Sequence, residues 1–317
     1  MINRIIFIGE PETDASVFKA RALADFPDLD LLATNDREQA RQQAEVADAL
    51  IGHAFQFDED MLLRARRLRW IQSLTTGTDA ILRLASLRPE VTVTSTRGMH
   101  GPQMSELVFL QMLALLRDFP RMQRNQAAHL WKRWPQPLLW GRTAVIVGVG
   151  AIAEVLAPRC KAFGMTVYGV SGATRKPEGF DEVFARQQLQ HAAALADFLV
   201  LIVPYTSQTE KLINATVIAA MKPTAYLINV ARGGVLDENA LLAALREQRL
   251  AGAALDVFRE TPLPADHPLW REERIIITPH IGGMSTIYLD QAYPIVRDNL
   301  RKFLAGETSA MTNIVPH

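Results

Sequence analysis

A glycine-rich turn at residues 145–153 (VIVGVGAIA) is the segment whose residue types point most directly to chemistry. It follows an apolar strand pattern and opens a helix pattern at Ala151 and Ile152. Gly148 permits a tight turn, Gly150 lets the backbone approach a pyrophosphate, and the phosphates lie at the helix N-terminus. The alternative is a strand–helix turn that binds nothing. The order of strand, turn and helix favours dinucleotide binding.

The loop after the next predicted strand, residues 171–176 (SGATRK), indicates which dinucleotide binds. An NAD site places Asp or Glu about 20 residues beyond the glycines, where it binds the ribose 2′-hydroxyl. Here no acidic residue occurs in the loop, and the hydroxyls of Ser171 and Thr174 with the cations of Arg175 and Lys176 would instead hold a 2′-phosphate. The loop therefore predicts NADP as the preferred cofactor, with NAD possible.

The elements that position these residues alternate between short strand patterns and longer helix patterns. The second half of the chain has strands that are nearly continuous in Val, Ile and Leu, which is typical of parallel sheets buried on both faces. The sequence predicts an α/β fold with doubly wound parallel sheets. The predicted strands are residues 5–9, 29–33, 49–52, 70–73, 91–94, 143–148, 166–170, 198–203, 225–229, 252–256 and 275–278.

Helix patterns mark the places where the chain changes domain. Residues 101–117 predict a helix that is apolar almost all round and therefore buried, between domains or against another subunit. Residues 121–137 are polar, basic and rich in Trp and Pro, and they predict a surface connection. Residues 286–304 predict a last helix after the final strand.

Composition excludes several classes of protein. The chain has 317 residues, 34 Lys and Arg against 34 Asp and Glu, and one cysteine, Cys160. The length suits one large or two ordinary domains, and the balanced charge argues against a nucleic-acid partner. A single cysteine forms no internal disulfide, and the most apolar run, residues 107–116, is shorter than the ~20 residues of a membrane helix. With no signal-peptide pattern, we expect a cytoplasmic protein without membrane contact.

Motifs in the second half of the chain are more specific. They are NVARGGVLDE at 229–238, AALDVF at 253–258, PLP at 262–264, HPLW at 267–270 and TPHIGG at 278–283. In this order and at this spacing they closely resemble the D-isomer-specific 2-hydroxyacid dehydrogenase family, with a weaker match at residues 68–79.

The resemblance implies two Rossmann-like lobes with an active site in the cleft between them. Residues 1–100 and 284–317 would form the substrate-binding domain, residues 101–283 the dinucleotide-binding domain, and residues 101–117 the region of a homodimer interface.

The family likeness implies the reduction of a small 2-oxo acid, such as glyoxylate or hydroxypyruvate. Arg232, which follows a predicted strand, would hold the carboxylate, because a guanidinium pairs with carboxylates through two hydrogen bonds. Without the likeness, a structural ion pair is an equal alternative for this arginine. His280 would donate the proton in reduction, since histidine exchanges protons near neutral pH. No cluster has metal-ligand spacing, so we expect no metal.

The sequence departs from the family at one position. A glutamate immediately before Pro-Leu-Pro pairs with the histidine in the family, whereas this chain has Thr261 there and Glu260 one residue earlier. Either Glu260 reaches His280 through a local register shift, or Thr261 offers a neutral hydrogen bond, as the glutamine of the related formate dehydrogenases does. A weaker partner should lower the pKa of the histidine.

Further site residues follow from the resemblance alone. The loop at Thr76 and Gly77 matches the one whose backbone N–H groups hold the substrate carboxylate. Asp256 matches the residue that contacts the nicotinamide carboxamide, and the remaining expected cofactor contacts are Val203, Pro204, Thr209, Val230, Ala231 and Gly282. Two rival functions stay open: a dinucleotide-sensing binding protein with little catalysis, as in corepressors of this fold, and an NAD-linked dehydrogenase that oxidises hydroxy acids.

Overall fold

Two parallel sheets organise the residues that the computed structural model describes, 3–173 and 175–317. One unit comprises Met1–Met99 and Met284–His317, and the other comprises His100–Gly283. The chain thus leaves the first unit, completes the second and returns. The α/β fold class with parallel sheets is confirmed. Among the described residues, no helix combines the length and the apolar character that crossing a bilayer requires.

The strands form a five-stranded sheet, in the order β2-β1-β3-β4-β5, and a seven-stranded sheet, in the order β12-β11-β10-β9-β6-β7-β8. Every pairing between these strands is parallel. The strands are β1 Arg4–Ile8, β2 Asp30–Thr34, β3 Ala49–Gly52, β4 Trp70–Ser73, β5 Thr92–Thr94, β6 Thr143–Val147, β7 Thr166–Ser171, β8 Glu182–Ala185, β9 Phe198–Leu201, β10 Tyr226–Asn229, β11 Gly252–Leu255 and β12 Ile275–Ile277.

Helices connect the strands on both faces of each sheet. They are α1 Ala15–Asp25, α2 Arg37–Gln43, α3 Glu59–Arg64, α4 Asp79–Leu82, α5 Gly101–Leu116, α6 Phe119–Ala127, α7 Ala151–Ala162, α8 Leu189–Leu195, α9 Ala215–Ala220, α10 Glu238–Arg246 and α11 Tyr288–Leu304. Short 3-10 turns complete the connections.

The apolar strands are buried on both faces, as their composition predicts. In β6, Val145 and Val147 belong to one hydrophobic cluster, while Ala144 and Ile146 belong to the cluster on the opposite face. This alternation follows from the two-residue period of a strand. Because both faces are apolar, polar side chains with a chemical role are confined to the ends of the strands.

Two local elements were not predicted. The segment expected to be a surface connection, residues 121–137, has no buried residue, but it contains most of a helix, α6, Phe119–Ala127. Pro120 lies in the first turn, where its missing N–H costs no hydrogen bond, and none of the described residues of α6 is buried, so no apolar face marked the helix. Strand β8 was not predicted, because it is a four-residue edge strand with one buried residue.

His53, directly after β3, is a buried histidine in the smaller sheet's unit. His53 is 3% exposed, and its Nε2 lies 3.2 Å from the Thr13 hydroxyl. Its ring stacks on Tyr288, with 5.4 Å between centroids. Burial lowers the pKa of His53 from 6.5 to about 4, and Glu12, whose Oε1 is 3.9 Å from Nε2, does not offset this.

This lowered pKa predicts an acid-sensitive contribution to stability. The unfolded chain protonates His53 near pH 6.5 and the folded chain only near pH 4, so acid favours unfolding across that window, by up to about 3 kcal/mol. In urea unfolding, the wild-type free energy should fall more steeply between pH 7 and pH 4 than that of His53→Gln. His129→Asn, at an exposed histidine, should follow the wild type. Equal pH slopes in all three proteins would contradict the assignment.

Candidate functional site

The glycine turn after β6 has the geometry that its sequence predicts. Gly148 has φ +103°, and a Cβ added there would lie 2.8 Å from the carbonyl oxygen of Ile202. A side chain is therefore excluded on both conformational and steric grounds. Gly150 precedes α7, and a Cβ built on it would meet no atom within 4 Å. A phosphate can therefore come close to the backbone here, and the N–H groups of the first turn of α7, at Ala151 and Ile152, are suited to bind it.

A pocket lies against this turn. It is lined by residues 147–150, by the end of β7 at residues 170–172, by residues 202–204 after β9, and by Arg186 and Leu212. The pocket brings together five residues expected to bind the cofactor, which are Gly148, Gly150, Ser171, Val203 and Pro204. Thr209 is buried, and its hydroxyl donates to the carbonyl of Pro204, a lining residue of the pocket, at 2.7 Å. These residues fit the phosphates of a dinucleotide.

The described side chains of the basic loop after β7, which were predicted to hold a 2′-phosphate, have partners within the protein. Thr174 lies outside the described residues. Arg175 forms an ion pair with Glu154 of α7, and Lys176 Nζ donates to the carbonyl of Asp181 at 3.0 Å. Ser171 Oγ accepts from the N–H of Ala173 at 3.0 Å. Both expected cations therefore have partners within the protein.

Arg186 is a pocket residue that the sequence reasoning missed. The register of β7 and β8 pairs Ser171 with Ala185, so Arg186 follows directly beside the end of β7. A Cβ added to Gly172 would lie 3.9 Å from Arg186 Nη2. Recognising this arginine required β8 and its register, and the sequence contained no clear pattern for either.

Arg232 follows β10 on a tightly packed turn. The buried Asn229 holds that turn, because its Oδ1 accepts from the N–H of Ala231 at 3.1 Å and its Nδ2 donates to the carbonyl of Arg232 at 3.2 Å. A Cβ on Gly233 would lie 1.9 Å from the carbonyl carbon of Phe258, so only glycine fits after the arginine. Arg232 is half-buried, and its Nη1 donates to the carbonyl of Ala231 at 2.8 Å. Val230 and Ala231 are buried.

His280 lies on a turn that the carboxylate of Asp256 holds. Asp256, buried after β11, accepts from the Thr278 hydroxyl at 2.6 Å and from the N–H groups of Ile281 at 3.1 Å and Gly282 at 3.0 Å. His280 is exposed and has φ +56°, a left-handed conformation that is uncommon for residues other than glycine. The three hydrogen bonds of Asp256 compensate for that conformation, so Asp256 positions the histidine's backbone.

The structure places the two candidate partners of His280 on the exposed segment after β11. Glu260 is exposed, and the Thr261 hydroxyl donates to the carbonyl of Phe258 at 3.4 Å. The peptide bond between Thr261 and Pro262 is cis. Within residues 3–173 and 175–317, no hydrogen bond or ion pair joins His280 to Glu260 or Thr261.

Thr76 and Gly77 lie on a loop of the other unit, after β4. The carbonyl of Leu74 accepts from the Tyr288 hydroxyl at 2.7 Å and from the Thr96 hydroxyl at 2.6 Å. The Thr75 hydroxyl donates to the carbonyl of Gly77 at 2.7 Å. These hydrogen bonds hold the backbone of the loop at Leu74 and at Gly77.

Two kinds of chemistry receive no support from the described residues. The described part of the chain has no group of three or more His, Cys, Asp or Glu that could hold a metal ion. Cys160 is buried in α7, and burial raises the pKa of its thiol to about 12. A thiol with that pKa stays protonated near neutral pH and is a poor nucleophile.

Comparisons with known proteins agree with this geometry. Residues 109–282 match the family model described as D-isomer specific 2-hydroxyacid dehydrogenase, NAD binding domain. The glyoxylate reductase of Thermococcus litoralis is 34% identical over 261 residues, which are 79% of this chain and 78% of that protein. A D-isomer specific 2-hydroxyacid dehydrogenase family protein from Aeromonas salmonicida has a TM-score of 0.90 and 34% identity over 99% of both chains.

A further solved structure carries a bound nucleotide. It is an NADPH-dependent glyoxylate/hydroxypyruvate reductase from Sinorhizobium meliloti, in complex with NADP and sulfate. Its TM-score is 0.85 and its sequence identity is 26%, with 99% of this chain and 98% of that chain covered.

The hydrogen bonds of Asp256 lead to a prediction about the His280 turn. Asp256→Ala removes the acceptor of two backbone N–H groups, each worth about 1 kcal/mol or more. Hydrogen exchange in a peptide that spans residues 278–283 should accelerate by about tenfold or more. Glu273→Gln, at an exposed residue before β12, should leave this exchange unchanged. Unaltered protection in Asp256→Ala would show that the carboxylate does not hold the turn.

Proposed function

The chain belongs to the D-isomer specific 2-hydroxyacid dehydrogenase family, and from this premise we propose that it reduces a small 2-oxo acid with NADPH. The observation that carries the proposal is the shared edge of the seven-stranded sheet. The nucleotide pocket follows β6, β7 and β9, while Arg232 and His280 follow β10 and β12 at the same carboxyl edge. Ligands of open α/β sheets bind at this edge. Glyoxylate and hydroxypyruvate are the substrates we propose.

The preference for NADPH rests on the end of β7. The strand ends at Ser171 and Gly172 follows, so neither residue carries the carboxylate with which an NAD site holds the ribose 2′-hydroxyl. A neutral or cationic surround accepts a 2′-phosphate without repulsion. The Sinorhizobium meliloti relative is NADPH-dependent, which supports the same choice.

The chemistry of the proposed reaction assigns a role to each side chain at the edge. When bound, the nicotinamide supplies the hydride that reduces the 2-oxo carbon. Arg232 holds the substrate's carboxylate with its guanidinium. Protonated His280 gives its proton to the carbonyl oxygen, which becomes the hydroxyl of the 2-hydroxy acid. The backbone N–H groups at Thr76 and Gly77 remain proposed contacts of the substrate carboxylate.

Turnover tests the proposal directly. Purified protein with NADPH and a panel of 2-oxo acids should consume the reduced cofactor, and His280→Ala should lower kcat by about 10²–10⁴-fold because the proton donor is lost. NADPH binding, followed by its fluorescence, should be unchanged in that variant. Arg232→Lys keeps the positive charge but loses the paired N–H donors of the guanidinium, and it should raise the KM for the 2-oxo acid about tenfold.

The same assays separate the rival functions. A dinucleotide-sensing protein would bind NADPH without turning over any member of the panel, and His280→Ala would then change nothing. An NAD-linked oxidising dehydrogenase would show a lower KM for NADH than for NADPH, and faster turnover of 2-hydroxy acids with NAD. Either result would overturn the proposed NADPH-dependent reduction.

We further propose that the protein is a homodimer, and we place its interface on an exposed apolar surface of the unit His100–Gly283. The helix expected at the interface, α5, is largely buried within its own unit: a Cβ on Gly101 would lie 2.5 Å from Val155 of α7. Exposed apolar side chains are frequent in the second half of α5 and in the segment that follows it along the chain. We define the apolar surface as Leu110 (59% exposed), Phe119 (47%), Leu130 (58%), Trp131 (95%) and Trp140 (75%). A second copy that covers them would remove apolar area from water.

Light scattering checks this assembly. The wild type should have twice the mass of one chain, and the double variant Leu130→Glu with Trp131→Glu should have the mass of a single chain, because charge at the centre of an apolar interface opposes burial. The control double variant Val17→Glu with Leu63→Glu introduces the same two charges at exposed apolar residues of α1 and α3, and it should leave the mass unchanged. A wild type with the mass of one chain would contradict the proposal.

A further inference from the structure

We propose that Arg186 binds the 2′-phosphate of NADPH and thereby sets the coenzyme preference. The inference rests on the proposed function, since it names the side chain that distinguishes two cofactors at the same pocket. Sequence reasoning assigned this task to the loop after β7, and the contacts of Arg186 and Arg175 favour a different residue.

The position of Arg186 is fixed by strand pairing. Ser171, the last residue of β7, is the partner of Ala185, the last residue of β8. Arg186 follows at the same carboxyl edge and lines the pocket beside the glycine turn. Its Nη2 lies 3.9 Å from the position of a Cβ on Gly172. The guanidinium therefore lies across the end of β7, where a dinucleotide's adenosine ribose binds.

Arg175 is paired with a carboxylate, whereas Arg186 is paired with a neutral side chain. Arg175 forms an ion pair with Glu154, so a phosphate would have to compete with that carboxylate. Arg186 Nη1 donates to the neutral side chain of Gln208, at 3.3 Å from Oε1. Among the described residues, no carboxylate lies within ion-pair distance of Arg186. A guanidinium in this state offers its charge and remaining N–H groups to a phosphate dianion.

The contact with Gln208 also explains how the side chain of Arg186 is held in place. Gln208 lies on the loop after β9, and Thr209 shapes that loop: its hydroxyl donates to the carbonyl of Pro204 and accepts from the N–H of Thr206, both at 2.7 Å. Thr209 thus positions Gln208, and Gln208 positions Arg186. This gives Thr209, expected to contact the cofactor, an indirect role at the adenosine end of the pocket.

Binding of nucleotide fragments tests the assignment without turnover. We would measure by calorimetry the affinity of the full-length protein for 2′,5′-ADP and for 5′-AMP, which lacks the 2′-phosphate. Arg186→Gln should weaken 2′,5′-ADP binding by about 10–100-fold, the range for charge-assisted hydrogen bonds, and leave 5′-AMP binding unchanged. Arg186→Lys should lose less, and Arg175→Gln, at the rival candidate, should lose less than about threefold. The matched control Arg249→Gln, at an exposed arginine paired with Glu247, should leave the binding of both fragments unchanged.

Several results would overturn the assignment. Equal losses for both fragments would place the guanidinium on the adenine ring or indicate a local change of fold. A larger loss in Arg175→Gln than in Arg186→Gln would return the role to the loop after β7. A wild type that binds the two fragments equally would show that no residue recognises the 2′-phosphate.

Steady-state assays separate this inference from the proposed function. Turnover of a 2-oxo acid with NADPH, together with an unchanged KM for NADPH in Arg186→Gln, would remove the Arg186 assignment and leave the proposed function intact. Selective loss of 2′,5′-ADP binding in that variant, in a protein that turns over no 2-oxo acid, would support Arg186 and contradict the proposed reaction. If the Arg186 assignment and the proposed function both hold, Arg186→Gln should raise the KM for NADPH and leave the KM for NADH unchanged.

Discussion

Each strand of the seven-stranded sheet runs parallel to its neighbours, so the segment that follows every strand leaves the sheet at one edge. The interior strands are apolar on both faces and leave no room for polar chemistry between the sheet and its helices. Polar side chains therefore collect where the strands end. That single constraint brings the phosphate-binding turn, the arginine and the histidine to the same side of the sheet.

The edge is crowded, and its glycines are a consequence of that crowding. Neighbouring strands are about 4.8 Å apart, so the segments that leave them must pass each other closely. A Cβ on Gly233 would collide with the backbone of Phe258, and a Cβ on Gly282 would lie 2.7 Å from Leu107. Gly148 meets the backbone of Ile202 in the same way. The glycines that form recognisable motifs are thus needed first for packing, and the binding geometry depends on the same absence of side chains.

The sequence predicted those features that depend on one strand and the turn behind it. Gly148 follows an apolar run directly, His280 follows one after Thr278 and Pro279, and such runs identify buried strands. Features that depend on contacts between elements distant in sequence were not predictable. The ion pair between Arg175 and Glu154 joins two residues 21 positions apart, and Arg186 owes its place to an edge strand with little apolar character. Helix α6 was missed because none of its residues is buried.

The turn at His280 shows how this chain can differ from its family without losing its geometry. In the family a glutamate before Pro-Leu-Pro pairs with the histidine, whereas this chain has Thr261 at that position. Here the backbone on either side of His280 is held by Asp256, through Thr278 before it and Gly282 after it. Placement of the histidine therefore does not require the missing glutamate. What the substitution changes is the charge at position 261, where the family's carboxylate is replaced by a neutral hydroxyl.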